Sequence, residues 1–276
     1  MKSTEKRNPR TTHIDKATTK EMLTLINDEN RRSVEAVEEA LDSIVSAIDC
    51  ITEAMREGGR LIYVGAGTSG RLASQDAAEC PPTYGVDYNT VLAVVAGGPA
   101  ALVRAAENVE DNGEAGVNAL KEVSVSGKDV VMGISASGNA SFVAEAMNYA
   151  KSLGAKTVSL SSNSDALIGE IADFPIFCDT GAEVITGSTR MKAGNAQKMV
   201  MNMITTSVMI KLGKVYENMM INLKPTNIKL RDRMIRIVLE IIPDIDYAKA
   251  EALLEENGFS IPSAVEAYRM ANKTKD

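Results

Sequence analysis

The chain has 276 residues, enough for one large domain with a sizeable core and a smaller one beside it. Hydrophobic residues make up 45% and charged residues 24%, which excludes disorder of the whole chain. With 30 Lys and Arg against 37 Asp and Glu the net charge is −7, so neither nucleic acid nor an anionic membrane is an expected partner, and an anionic ligand must be held by local donors.

The first segment, residues 1–18, is polar and is expected to be extended, with no apolar run of the kind a secretory signal carries. A helical pattern begins at Thr19. Met22, Leu23, Ile26, Val34, Val37, Leu41, Ile44, Val45 and Ile48 recur at spacings of three and four, which predicts a pair of amphipathic helices or one long one. After Gly58-Gly59 the period changes. Short apolar runs at 60–64, 91–96, 129–134, 156–160 and, more weakly, 175–178 each enter a turn rich in Gly, Ser or Asn, with helical segments such as 142–153 between them. Apolar strands alternating with helices predict an α/β fold, a parallel sheet covered on both faces. Residues 193–212 form a long Met-rich helix, read as core filling. Three short helices follow Pro225, at 228–242, 247–257 and 264–270. The expected organisation is an N-terminal helical segment (1–55), a main domain (56–222) and a small three-helix bundle (226–276). The longest apolar run, 91–103, contains Gly97, Gly98 and Pro99 and is too short to span a bilayer.

Residue types narrow the chemistry. Cys50, Cys80 and Cys178 are odd in number and form no C-x-x-C, which fits a reducing cytoplasmic setting and no structural zinc. His13 is the only histidine. A Ser-His-Asp triad and a His-based metal site are hard to build from it, so proton transfer falls to carboxylates, Lys, Tyr or Cys.

Gly65-x-Gly67-x-x-Gly70 matches the dinucleotide fingerprint, but the next strand ends in Gly97-Gly98 without the acid that would hold a ribose. Thr68 and Ser69 set two hydroxyls beside the glycines, at the start of a helix whose first N–H groups are unpaired. That combination suits a terminal phosphate; the alternative is a tight turn with Thr68 or Ser69 as N-cap. Ser135-Ala136-Ser137-Gly138 repeats the chemistry after another strand, and Gly187-Ser188-Thr189-Arg190-Met191-Lys192-Ala193-Gly194 adds hydroxyls and two cations before the long helix. In an open parallel sheet, loops at the carboxyl edge form the ligand crevice.

Two acidic stretches are candidates for acid–base work. In Asp76-Ala77-Ala78-Glu79-Cys80-Pro81-Pro82-Thr83, the prolines are expected to end the helix and leave Glu79 at its C-terminus, where a carboxylate is disfavoured as the anion. A general acid and a solvated helix-end Glu fit that spacing equally well. For Glu107-Asn108-Val109-Glu110-Asp111, spacing alone favours an acidic helix face.

Three motifs together carry a resemblance: Tyr63-Val64-Gly65-Ala66-Gly67-Thr68-Ser69-Gly70-Arg71-Leu72, the Asp76 to Thr83 stretch above, and Glu183-Val184-Ile185-Thr186-Gly187-Ser188-Thr189-Arg190-Met191-Lys192-Ala193-Gly194. With Thr4-Glu5-Lys6-Arg7-Asn8-Pro9 at the start, the chain resembles the N-acetylmuramic acid 6-phosphate etherases along its whole length. The resemblance implies a three-layer αβα fold of the sugar-isomerase (SIS) type and a homodimer. It implies cleavage of the ether joining D-lactate to C3 of the amino sugar, by elimination and then hydration, with no metal or redox cofactor. It assigns Glu79 as the acid and Glu110 as the base at C2. Gly67, Thr68, Ser69, Ser135, Ser137, Gly138, Ser188, Thr189 and Lys192 are implied as phosphate and substrate contacts. The chain departs from the family pattern at Asn139-Ala140-Ser141, where Arg-Thr-Pro is common, and at Asn195, where Thr is usual. The first departure removes a cation from the second loop. A sugar-phosphate sensor without catalysis and an aldose–ketose isomerase are the alternatives on the same fold.

Overall fold

A computed structural model describes residues 2–273, except 107 and 226. The N-terminal segment is not extended. It forms short 3₁₀ turns at Ser3–Glu5, Pro9–Thr11 and Ile14–Lys16. Thr4, Asn8 and Thr11 are buried, with Thr11 Oγ1 donating to the Val184 carbonyl at 2.8 Å and Asn8 Nδ2 to Glu29 at 2.7 Å. A polar segment orders in this way when protein groups replace water as its hydrogen-bond partners.

Helix α1 (Thr19–Glu39) opens on a capping box between Thr18 and Glu21, and α2 (Leu41–Arg56) follows a break at Ala40. Strands β1 (Leu61–Gly65), β2 (Val91–Val95), β3 (Val130–Ile134), β4 (Lys156–Ser161) and β5 (Phe174–Phe177) form a parallel sheet in the order β2-β1-β3-β4-β5. The connecting helices are α3 (Gly67–Tyr84), α4 (Ala100–Val103), α5 (Gly113–Glu122), α6 (Ser141–Ser152) and α7 (Leu167–Ile171); α8 (Lys192–Lys211) follows β5.

Alternation along each strand divides the core. Ile62, Val64 and Val131 point to one face and pack with Leu120 of α5, Phe142 and Met147 of α6 and Ile168 of α7. Tyr63 points to the other face, where its hydroxyl donates to Asp76 of α3 at 2.9 Å, and Asn202 and Thr205 of α8 donate to the same carboxylate. The result is the expected αβα layering. Strand order reverses between β1 and β3, and Gly65 pairs with Ile134. Ala66 and Ser135 therefore leave neighbouring strands at one level, at the switch point where doubly wound sheets bind ligands.

One expectation fails at α3. The helix does not stop at Pro81-Pro82 but contains both and runs to Tyr84, closing at Gly85 (φ 67°), whose N–H donates to the Pro81 carbonyl at 2.9 Å. Proline removes its own N–H and its ring presses on the carbonyl four residues back, but its φ suits a helix. Burial of Cys80, Pro81 and Tyr84 offsets the lost donors. Glu79 is thus not at a helix end.

By contacts the chain forms two compact units, Met1–Ala77 with Asn89–Val208, and Ala78–Tyr88 with Met209–Asp276. In the second, β6 (Val215–Tyr216) and β7 (Met219–Met220) pair antiparallel, and α9 (Ile228–Ile241), α10 (Tyr247–Glu256) and α11 (Ile261–Lys273) share a core that includes Met234, Ile235, Val238, Leu254 and Ala264. Asn227 and Asp246 cap α9 and α10. Helix α11 opens on Ser260-Ile261-Pro262-Ser263, where Pro262 fits a first helical turn and Ser260 Oγ accepts the Ser263 N–H at 3.3 Å. Among the described residues, no helix is long and apolar enough to cross a membrane.

Candidate active site

The loop after β1 is shaped by close approach. A Cβ on Gly70 would lie 2.7 Å from Val95 Cγ1 and 2.8 Å from the Gly65 carbonyl oxygen, and one on Gly65 would lie 2.8 Å from Gly70 N. The helix starts at Gly67, so Thr68 and Ser69 sit inside its first turn, not before it as caps. By helix geometry, the N–H groups of this turn have no intrahelical acceptor. Ser69 is buried, and its hydroxyl donates to Oε1 of Gln197 on α8 at 2.9 Å. Thr68 packs where a Gly194 Cβ would stand, 3.5 Å from Thr68 Cγ2, so the first turns of α3 and α8 lie side by side. An open hollow of about 360 Å³ adjoins Thr68, with Arg190 and Lys198 on its wall.

The loop after β3 is tied internally and from outside. Ser135 and Ser137 hydroxyls lie 3.3 Å apart, and Ser135 Oγ accepts the Gly138 N–H at 3.1 Å. Asn163 Nδ2 donates to the Ala136 carbonyl at 2.9 Å, and Lys2 Nζ donates to the Ser137 carbonyl at 2.8 Å. Asn139 is turned away from the loop's hydroxyls, its Oδ1 accepting the Leu167 N–H at the start of α7 at 3.2 Å. Lys2 thus brings an ammonium to the backbone of this loop.

The third loop leads into α8. Glu183 is buried and accepts the Lys192 and Ala193 N–H groups at 3.1 and 3.0 Å, satisfying the helix start. Its pKa is nonetheless raised, because burial outweighs these donors and Glu29 adds like charge. Lys192, implied as a substrate contact, has its buried ammonium 2.5 Å from Glu29 Oε2. Glu29 also accepts from Asn8 Nδ2 and pairs with Arg10 at 3.1 Å. Burial alone would raise the Glu29 pKa, but Lys192, Asn8 and Arg10 together hold it below the usual carboxylate value. Ser188 and Thr189 are half-buried, and the Thr189 carbonyl accepts the Gly194 N–H at 3.0 Å.

Glu110 is not on a helix face. Helix α4 ends at Val103, and Glu110 stands in a turn before α5, where Asn112 provides the cap. Its carbonyl accepts the Phe142 N–H of α6 at 2.9 Å, and its side chain is exposed. Helix α5 lies close on α6, since a Cβ on Gly116 would come 2.1 Å from the Phe142 carbonyl oxygen. Glu110 is thereby fixed at the start of the helix that follows Ser135 to Gly138. Glu107 lies outside the described residues. Glu79 is exposed on α3, within the second compact unit. Three residues before it, Asp76 is buried in the first unit, and burial pushes its pKa up despite the donors Asn202, Tyr63 and Thr205.

Residues 43–151 match the family described as the glucokinase regulatory protein N-terminal SIS domain. A phosphoheptose isomerase from Neisseria gonorrhoeae superposes with a TM-score of 0.54 at 19% identity, covering 69% of this chain and 98% of that one, which shows a shared fold. An N-acetylmuramic acid 6-phosphate etherase of Halalkalibacterium halodurans is 49% identical over 263 residues, 95% of this chain and 88% of the relative. An etherase of Yersinia pestis (strain Pestoides F) is 46% identical over 261 residues, with the same shares. The chain belongs to the N-acetylmuramic acid 6-phosphate etherase family.

Within this etherase family member, the fold sets the first two hydroxyl-rich loops of the sequence at one sheet edge and packs the third against the first at Gly194 and Thr68. Other residues at the site escape sequence reasoning. Gln197 lies in the helix read as Met-rich core filling, 128 residues from its partner Ser69. Lys2 and Asn163 reach Ser137 and Ala136 from 135 and 27 residues away. The only local signal for Asn163 is the Ser/Asn cluster after β4.

Proposed function

We propose that this protein cleaves the D-lactyl ether of N-acetylmuramic acid 6-phosphate, releasing N-acetylglucosamine 6-phosphate and D-lactate. The observation that carries this reading is the 49% identity to a named etherase over 95% of the chain. We assign the phosphate to Thr68, Ser69, Ser135 and Ser137, with the N–H group at Gly67, and to Gly138 the turn that shapes the second loop, its own N–H being held by Ser135. Support comes from the common level at which the two loops leave β1 and β3 and from the unpaired N–H groups of α3. Ser188 and Thr189 are assigned further contacts with the sugar, and Lys192 a role through Glu29 in holding the start of α8.

On the open-chain sugar, the C1 aldehyde acidifies the proton at C2. Glu110 takes that proton, Glu79 protonates the departing lactyl oxygen, and the C3–O bond breaks to leave a C2–C3 double bond. Water adds at C3, and a proton returns to C2. The reaction needs a base, an acid and the substrate's own carbonyl, and calls for no metal or redox cofactor. A homodimer fits the apolar side chains left outside the core: Leu23 and Val34 on one face of α1 are 60% and 58% exposed, and Leu41 and Val45 of α2 are 42% and 54% exposed. A cytoplasmic setting fits Cys50, Cys80 and Cys178, none of which is in a disulfide.

The test is incubation with N-acetylmuramic acid 6-phosphate and assay of D-lactate. In D₂O the product must carry deuterium at C2. Lactate without label rejects elimination. No lactate from folded protein rejects the etherase reading in favour of a sugar-phosphate sensor, and sugar-phosphate interconversion without lactate loss favours an isomerase.

A further inference from the structure

Gln197 is 2% exposed, and its two amide atoms fare differently. Oε1 accepts the Ser69 hydroxyl at 2.9 Å, while Nε2 is buried without a hydrogen-bond partner. An unpaired buried N–H is costly and calls for a reason. A half-turn of the amide exchanges the two atoms with almost no change in shape, and Nε2 then donates to Ser69 Oγ. The difference matters at Ser69. In the first orientation its only hydrogen is spent on Gln197. In the second that hydrogen is released within the first turn of α3, where unpaired backbone N–H groups already favour an anion. A phosphate oxygen accepts only, so Ser69 donates to it only when Gln197 has reversed.

We infer that Gln197 is a positioning residue for the phosphate, an amide that accepts the Ser69 hydrogen without ligand and reverses to donate to the Ser69 oxygen when phosphate binds. This rests on the reading of the Gly67 to Ser69 turn as a phosphate anchor. Reversal has a geometric consequence: the Ser69 oxygen stays in place while its hydrogen changes direction, so the anchor is ordered before the ligand arrives. The packing of Thr68 on Gly194, one helical turn before Gln197, keeps the two side chains in register.

The experiment measures the affinity of full-length protein for inorganic phosphate by calorimetry, together with KM and kcat for the sugar phosphate, in Ser69→Ala, Gln197→Leu, the double variant and Gln197→Glu. Gln197→Leu is expected to weaken phosphate and raise KM about tenfold with kcat within about twofold, and the double variant to be no worse than Ser69→Ala alone. Gln197→Glu accepts only when ionised, so its phosphate affinity is expected to be lowest in alkali and to recover as pH falls and the carboxyl gains a proton to donate. A Gln197→Leu variant with parental phosphate affinity overturns the inference, as do multiplicative losses in the double variant or a pH-independent Gln197→Glu. If Gln197→Leu does not fold, the pH profile of Gln197→Glu decides. Parental affinity in Ser69→Ala overturns the phosphate-anchor reading itself, whereas loss in Ser69→Ala with none in Gln197→Leu overturns the role of Gln197 alone.

Discussion

The ammonium of Lys192 lies 2.5 Å from a carboxylate oxygen of Glu29, and both side chains are buried. Glu29 is shared with Asn8 and Arg10 of the N-terminal segment, and Ser33 Oγ donates to the Lys192 carbonyl at 3.1 Å. One ion pair therefore joins the chain's first turns, α1 and the start of α8. Without Lys192, Glu29 keeps Arg10 and Asn8, whereas without Glu29 the buried Lys192 ammonium loses its carboxylate. Glu29→Leu is expected to cost about 3–5 kcal/mol, read as a fall in the urea midpoint. The double variant Glu29→Leu, Lys192→Met should recover most of that stability. If Lys192 acts through Glu29, the double variant also recovers KM; a folded double variant with a high KM would make Lys192 a direct contact.

The proposed mechanism divides the reaction between the two glutamates, so it requires their variants to differ in kind. Glu110→Gln is expected to abolish exchange of the C2 proton with solvent and to slow lactate release by roughly 10²–10⁴-fold. Glu79→Gln should slow lactate release by a similar factor while C2 exchange continues. Proton NMR of the sugar in D₂O reads both. Both side chains are exposed, so the melting temperature should move little. Loss of C2 exchange in Glu79→Gln alone would reverse the two assignments.

Close approach at the β1–α3 turn makes Gly70 intolerant. Gly70→Ala would press on Val95 Cγ1 and the Gly65 carbonyl, at 2.7 and 2.8 Å, and is expected to cost about 1–3 kcal/mol and to raise KM. Gly67→Ala meets nothing within 4 Å, and its cost arises only from φ of +55°, about 1 kcal/mol. Chemical denaturation of the two variants side by side tests the ranking.

Asp129 sets an acid limit to stability. Burial alone would raise its pKa, but the Arg60 guanidinium at 2.8 Å and the Ser126 N–H at 2.9 Å hold it below the usual value. A carboxylate with a depressed folded-state pKa stabilises the fold above its unfolded pKa, and that contribution is lost as pH falls through the folded value. Asp129→Asn is therefore expected to be less stable than the parent by roughly 3 kcal/mol at neutral pH, with the gap closing in acid. A gap that is constant with pH, in urea titrations, would remove the carboxylate as its cause.

Much of this protein was legible in the order of its residues. Period two and period 3.6 are local properties, so the strands before Gly65, Ala96 and Ser135 and the long helix after Lys192 could be read directly. So could the loop chemistry, because glycines and hydroxyls stand next to one another in the chain. Local rules misread what packing decides. Pro81 and Pro82 read as a helix stop, yet the burial of Cys80, Pro81 and Tyr84 carries α3 past them. Glu110 read as a helix face, yet it lies in a turn held by Phe142. The N-terminal segment read as extended because nothing local orders it; its partners Asn163, Val184 and Glu29 are supplied by distant elements.

Sequence by itself determined the layered α/β class, the family and the three hydroxyl-rich loops, since each is written in neighbouring residues. Only the tertiary structure decided which side chain answers which. It committed Lys192 to Glu29, brought Lys2 to the loop where Asn139 stands, and set Gln197 behind Ser69. The physical reason is that a buried polar group must find a partner in space, and a partner 128 residues away leaves no periodic trace in the chain.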